Sequence, residues 1–126
     1  MNPKTILVVD DESQSAEILT FVLEREGYRV LEAVNGRDGL NKLKLSPVDL
    51  VILDIAMPIM NGAEMLRAMQ YDAALGSVPV LVTSALSESA VRVMIDRYRA
   101  MLRKPFPIGS MLSLVRSILA EEELRA

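Results

Sequence analysis

The chain has 126 residues and is 51% hydrophobic, with a formal net charge of −3 and neither cysteine nor histidine. Its length suits one domain, residues 1–126, with a proper core, and no apolar run approaches the ~20 residues that a membrane span requires. The missing residue types exclude disulfides, a thiol nucleophile, a histidine-based triad and a phosphohistidine, and the acidic balance argues against direct nucleic-acid binding. The first residues do not form a signal peptide, so a cytoplasmic location is expected.

Short apolar runs alternate with amphipathic segments from one end of the chain to the other. In chain order they predict a strand at 6–9, a helix at 13–26, a strand at 28–33, a helix from 36, a strand at 48–54, a helix from 62, a strand at 78–84, a helix at 87–97, a strand at 100–103 and a helix from 108. Ser13 and Ser87 suit the N-terminal caps of their helices, and Gly27 suits a C-terminal cap. This alternation indicates one doubly wound α/β domain, with parallel strands and helices on both faces.

The third strand is the centre of the chain, because it is apolar along its length and ends on a carboxylate, Asp54. A short run of apolar and β-branched residues followed by Pro58 is typical of a strand buried on both faces. Burying an unpaired charge is costly, so Asp54 is expected to be exposed at the carboxyl end of the strand. Open α/β sheets place their ligand crevice at that edge, which makes Asp54 the leading candidate for a functional residue.

Other strands deliver further polar side chains to the same edge: Asp10 and Asp11 after the first, Ser84 at the end of the fourth, and Lys104 after the fifth. Three carboxylates at close quarters repel one another, so they either hold a proton or bind a cation. Oxygen ligands without histidine or cysteine suit Mg²⁺, while an ammonium and a hydroxyl suit two oxygens of a phosphoryl group. Since an aspartate can act as a nucleophile, the set predicts metal-assisted phosphoryl transfer onto a carboxylate.

Four motifs resemble, in the order of the family, the receiver domains of two-component response regulators. They are Val8-Val9-Asp10-Asp11-Glu12, Asp54 with Met57-Pro58 and Gly62, Pro79-Val80-Leu81-Val82-Thr83-Ser84-Ala85, and Lys104-Pro105-Phe106. The resemblance covers nearly the whole chain. It implies a flavodoxin-like five-stranded sheet of order 2-1-3-4-5 with five helices, in a signalling domain that is not an enzyme although it assists its own phosphorylation and dephosphorylation.

For the acidic residues, the resemblance implies that Asp54 accepts a phosphoryl group from a sensor histidine kinase or a histidine phosphotransfer protein. It also implies that Mg²⁺ is bound by the side chains of Asp11 and Asp54, by Asp10 through water, and by the backbone carbonyl of Ala56. These roles come from the family and are expectations for this chain.

The resemblance assigns the hydroxyl of the fourth strand to Ser84 rather than Thr83, because Ser84 is the one followed by a small residue. Lys104 is then expected to pair with the phosphoryl group. The resemblance also implies that its bond to Pro105 is cis, a geometry that occurs almost only before proline. A downstream effector protein is expected to bind the face formed by the fourth helix, the fifth strand and the fifth helix.

The chain departs from the family pattern shortly before the lysine. Met101 stands where family members carry a Tyr or Phe, and the segment between Ser84 and Lys104 is shorter than usual. Methionine is flexible and has no phenol, so the loop at 85–89 is expected to carry the signal instead. The arginines of this region are expected to form a solvated face: Arg97, Arg99 and Arg103.

Three other functions stay open at this point. An aspartate-nucleophile phosphatase requires a second acid two residues after its nucleophile. This chain has Ala56 at that position, which argues against this function. A flavodoxin-like cofactor carrier is disfavoured because the acids at 10–12 repel a phosphate. An inactive receiver that serves only as a docking module would keep the same acids. The sequence also leaves open whether the chain is a complete regulator or the amino-terminal part of a longer one.

Overall fold

The computed structural model of the protein describes residues 2–125, in which five strands alternate with five helices as the sequence predicts. The strands are β1 (Thr5–Val9), β2 (Arg29–Ala33), β3 (Leu50–Asp54), β4 (Val80–Ser84) and β5 (Ala100–Arg103). The helices are α1 (Ser13–Arg25), α2 (Gly36–Leu45), α3 (Gly62–Tyr71), α4 (Glu88–Met94) and α5 (Ile108–Arg125).

All five strands are parallel and lie in one sheet of order β2-β1-β3-β4-β5. The predicted doubly wound, flavodoxin-like topology is therefore confirmed. Every residue of β1, β3 and β4 is buried, whereas β2 and β5 at the two edges are partly exposed. The near-continuous apolar sequence of the central strands follows from this position, because a central parallel strand contacts helices on both faces.

The sheet separates two apolar layers. Successive side chains of a strand point to opposite faces, so Leu7 and Val9 pack in the layer under α2, α3 and α4, whereas Ile6 and Val8 pack in the layer under α1 and α5. None of these four side chains is more than 1% exposed, and each contributes roughly 1.5–3 kcal/mol to stability by leaving water. Within residues 2–125, no helix is both long and apolar enough to cross a membrane.

The start of α1 differs from the prediction by one residue. Glu12, not Ser13, occupies the N-cap position, and no side-chain cap bond is made there. The Glu12 N–H donates instead to the Asp10 carboxylate at 2.9 Å, which fixes the turn that leads from β1 into the helix. The expected C-terminal cap is confirmed, because Gly27 has a φ of +95° that side chains disfavour.

Helix α4 is shorter than the prediction, which extended it through Arg97. The helix begins after Ser87, whose hydroxyl caps it by accepting the Ala90 N–H, but it ends at Met94. Ile95 has an extended backbone, and its side chain is only 5% exposed. The chain leaves the helical path there because an extended Ile95 buries its side chain in the layer under α2, α3 and α4.

Candidate functional site

Three carboxylate side chains meet at the edge of the sheet where the strands end, as the sequence predicts. Asp10, Asp11 and Asp54 each offer one oxygen, and these oxygens all lie within 4.8 Å of one another. They come together because β1 and β3 are neighbours in register, with Val9 opposite Leu53. Asp10 and Asp54 are buried, whereas Asp11 is exposed.

The expectation that Asp54 is exposed is wrong, since the residue is only 7% exposed. A cationic partner makes this burial tolerable. The Lys104 ammonium lies 3.6 Å from Asp54 Oδ1 and 3.4 Å from Asp10 Oδ2. Lys104 follows β5, so the fold brings it across β4 to the carboxylates of β1 and β3.

Burial is the largest influence on the ionisation of Asp54, and it raises the pKa of this carboxyl. The neighbouring Lys104 lowers the pKa in part, while the negative charges of Asp10 and Asp11 raise it further. One ammonium stands against three carboxylates, so the cluster keeps an excess of negative charge. Carboxylate oxygens crowded in this way fit a hard cation such as Mg²⁺, which binds oxygen ligands.

The loop after β3 is fixed against the site by a glycine. The Gly62 N–H donates to the Ile55 carbonyl at 2.9 Å, and a Cβ at Gly62 would collide with the backbone carbonyl oxygen of Asp54. The helix that follows starts on a capping box, in which Asn61 and Glu64 satisfy each other's backbone N–H groups. Ala56, the predicted carbonyl ligand, lies exposed on this loop, and its role stays a prediction.

The same loop contains a strained residue that the sequence does not reveal. Ile59 has a φ of +69°, a conformation that is an outlier for a β-branched side chain. A hydrogen bond from the Met60 N–H to the Pro58 carbonyl at 2.8 Å closes the turn around it. The Ile59 side chain is 75% exposed, so little apolar burial offsets the strain.

Ser84 lies at the end of β4 and is 4% exposed. Its hydroxyl oxygen accepts a hydrogen bond from the Leu86 N–H at 3.0 Å. Its carbonyl accepts the Lys104 N–H at 2.7 Å, which ties the end of β4 to the lysine. The bond between Lys104 and Pro105 is cis, as the resemblance to receiver domains implies.

The region before the lysine shows how the chain is arranged without an aromatic residue on β5. Met101 is half-buried in the layer under α2, α3 and α4. Tyr98, which precedes β5, packs on the same layer, and its hydroxyl donates to Glu88 and accepts from Arg92 of α4. The phenol therefore ties α4 to the start of β5 from a position outside the strand.

The arginines of this region are not simply a solvated face. The Arg99 side chain is only 19% exposed and forms ion pairs with Glu121 and Glu122 of α5, so the expectation for Arg99 is wrong. Arg103 is exposed, but its Nε donates to the Ala85 carbonyl at 3.3 Å. A sequence pattern cannot reveal these contacts, because the partners lie far away along the chain.

Comparison with known proteins finds clear relatives. A family profile described as the response regulator receiver domain matches residues 6–116. A probable transcriptional regulatory protein of Picosynechococcus sp. is 37% identical over 130 aligned residues, which cover 94% of this chain and 50% of that protein. PilH of Pseudomonas aeruginosa is 33% identical over 117 residues, which cover 91% of this chain and 97% of PilH. The chain thus spans about half the length of the first relative and nearly all of the second.

A solved structure has the same fold. The signal receiver domain of a signal transduction histidine kinase from Syntrophus aciditrophicus matches with a TM-score of 0.87 and 31% sequence identity. The match covers 94% of this chain and 91% of that chain. Fold and sequence similarity therefore extend over the same part of the molecule.

Proposed function

The chain belongs to the response regulator receiver family of two-component signalling, and we propose that Asp54 is the residue that accepts its phosphoryl group. Receiver domains are signalling domains rather than classical enzymes. The observation that supports Asp54 is its place as a buried carboxylate within 4.8 Å of two other carboxylates and 3.6 Å from an ammonium. These surroundings can offset the charge of an incoming phosphoryl group, and the raised pKa of Asp54 marks a perturbed site.

The proposed donor is a phosphohistidine of a sensor histidine kinase or a histidine phosphotransfer protein. An oxygen of the Asp54 carboxylate forms the new bond to phosphorus while the P–N bond of the donor breaks. The nitrogen of the leaving imidazole keeps the electron pair of that bond and takes up a proton from solvent. Lys104 offsets charge on the phosphoryl group, and the Ser84 hydroxyl donates a hydrogen bond to one of its oxygens.

Mg²⁺ is the proposed cofactor, held by the side chains of Asp11 and Asp54, by Asp10 through water, and by the backbone carbonyl of Ala56. The excess of negative charge among the three carboxylates supports this assignment. When bound, the ion neutralises charge that otherwise repels the phosphoryl donor. The protein's part is to hold the carboxylates close together before the ion and the donor arrive.

The proposed output is a change in binding of a downstream effector protein through the face of α4, β5 and α5. We place residues 1–126 in a single receiver domain in the cytoplasm, without direct contacts to nucleic acid or membrane. The first of the relatives is about twice as long as the chain.

The test is the intact mass of the protein after incubation with acetyl phosphate, with Mg²⁺ or with EDTA. Wild type is expected to gain one phosphoryl group in Mg²⁺ and none in EDTA. Asp54→Asn is expected to gain none, whereas the control Asp96→Asn, which removes an exposed carboxylate in the loop before β5, should be labelled like wild type. Undiminished labelling of Asp54→Asn would show that the acceptor is another residue.

A further inference from the structure

One peptide group beside the site is held at both of its ends. The peptide between Ala85 and Leu86 donates its N–H to Ser84 Oγ at 3.0 Å, and its carbonyl oxygen accepts a hydrogen bond from Arg103 Nε at 3.3 Å. This N–H and this carbonyl belong to the same planar unit, so the plane cannot turn over without breaking both bonds. The orientation of the peptide therefore depends on Ser84 and Arg103 together.

The sheet places Arg103 for this contact. β5 pairs with β4 so that Arg103 stands opposite Ser84. Side chains two residues apart on a strand point to the same face, so Arg103 shares the face of Met101, which packs in the layer under α2, α3 and α4. The Arg103 side chain thus lies on the side of the sheet where the loop from β4 leads into α4.

We propose that Arg103 is a positioning residue, which holds the loop between β4 and α4 in its resting arrangement and so sets how readily Ser84 engages a phosphoryl group. This inference rests on the proposed function of Asp54. In the resting arrangement Ser84 Oγ accepts the Leu86 N–H, and a turn of the serine side chain toward a phosphoryl oxygen gives that bond up. The released peptide then moves, and the bond from Arg103 to the Ala85 carbonyl is lost with it.

A hydrogen bond that exists only in the resting arrangement stabilises that arrangement against the phosphorylated one. The positive charge of Arg103 has the opposite effect, because it attracts the anionic phosphoryl group. A variant that removes both the charge and the donor therefore mixes two effects of opposite sign. The test has to compare variants that carry equal charge.

Arg103→Gln and Arg103→Met form such a pair. Both side chains are uncharged, and the glutamine Nε2 stands the same number of bonds from the backbone as the arginine Nε, so only glutamine keeps a donor at this place. Arg103 is exposed, and neither substitution disturbs a buried contact. The first measurement is the affinity of each variant, in the presence of Mg²⁺, for beryllofluoride, which stands in for the phosphoryl group. The second is hydrogen exchange of the Leu86 amide in the metal-free protein.

Arg103→Met is expected to bind beryllofluoride about threefold more tightly than Arg103→Gln, the effect of one exposed hydrogen bond. Its Leu86 amide is expected to exchange faster than in Arg103→Gln, while Arg103→Gln exchanges like wild type. If wild type binds beryllofluoride and the two variants bind it equally, the role of Arg103 is wrong and the proposed function of Asp54 stands. If wild type binds no beryllofluoride in Mg²⁺, the proposed function is wrong and the inference fails with it.

Discussion

Lys104 Nζ lies 3.6 Å from Asp54 Oδ1, and this contact joins the ends of two strands that are not neighbours in the sheet. The same ammonium is 3.4 Å from Asp10 Oδ2, so one cation serves two buried carboxylates. This sharing makes the burial of Asp54 tolerable but only partly offsets its effect on ionisation, so the pKa of Asp54 stays raised. The lysine offsets enough negative charge for the carboxylates to be buried in the folded protein. The cluster still keeps enough negative charge to attract a cation.

The raised pKa of Asp54 predicts how stability depends on pH in the metal-free protein. Between the pKa of the unfolded state and the raised pKa of the folded state, the folded protein binds more protons. The free energy of unfolding therefore falls as the pH rises through that window. Asp54→Asn has no proton to lose at this position, so we expect it to show a flatter pH dependence and to be more stable than wild type above the window.

Urea unfolding in EDTA at a series of pH values measures this difference. Asp96→Asn is the control, because it removes a carboxylate that is exposed. The same pH slope in wild type and Asp54→Asn would mean that the burial of Asp54 has no energetic cost.

Lys104→Met is expected to destabilise the metal-free protein by about 1–2 kcal/mol. Removing one partner of a fully buried ion pair costs roughly 3–5 kcal/mol, and the Lys104 side chain is 30% exposed, so the cost is smaller here. Mg²⁺ is expected to bind this variant more tightly, because the ammonium no longer repels the ion. Chemical unfolding and a Mg²⁺ titration measure the two effects.

Lys42→Met is the matched control for this lysine. It removes a surface ion pair with Asp38 and an exposed hydrogen bond to the Glu32 carbonyl, for which a change of at most about 1 kcal/mol is expected. Weaker Mg²⁺ binding by Lys104→Met would contradict the picture of a lysine that competes with the metal.

Ile59→Gly is expected to stabilise the protein by about 0.5–1 kcal/mol. Glycine accepts the φ of +69° without strain, which relieves roughly 1–2 kcal/mol of strain. This exceeds the roughly 0.5–1 kcal/mol that glycine costs by its greater freedom in the unfolded chain. Thermal unfolding of Ile59→Gly and Ile59→Ala separates strain from side-chain loss, because alanine keeps a Cβ. An equal gain from both variants would assign the effect to the exposed apolar side chain instead.

Met101→Ala is expected to leave the response of the loop intact. We expect beryllofluoride to shift the backbone amides between 85 and 106 in this variant as it does in wild type, because the loop after Ser84 carries the signal. Met101→Tyr is the companion variant, since it restores the aromatic residue of the family. If Met101→Ala binds beryllofluoride but loses those shifts, the methionine is the relay and the loop hypothesis is wrong.

The sequence predicts the parts of the structure that depend on pattern. Apolar runs identify the central strands, and the polar residues at their ends identify the carboxylate cluster and Lys104. Parallel strands bring their carboxyl ends to one edge of the sheet. The proximity of these side chains can therefore be predicted without knowing any distance between them. The burial of Asp54 is not predicted, because it depends on a lysine that only the folded sheet brings near.

The remaining differences have local physical causes. α4 ends early because Ile95 is buried in an extended conformation, which competes with its helical pattern. The positive φ of Ile59 cannot be expected from a residue type that disfavours it. Arg103 shows no periodicity or motif that would set it apart from a solvated arginine, since its partner is a backbone carbonyl.

The two apolar layers on either side of the sheet have a consequence for engineering the protein. Leu23 and Val115 lie in the layer under α1 and α5, whereas Val91 and Met101 lie in the other, beside the loop that is expected to move. Substitutions on opposite sides of the sheet share no packing neighbours, so their effects on stability should be additive. Improved packing between α1 and the sheet could therefore raise the melting temperature of a sensor built on this domain while leaving the layer beside that loop unchanged.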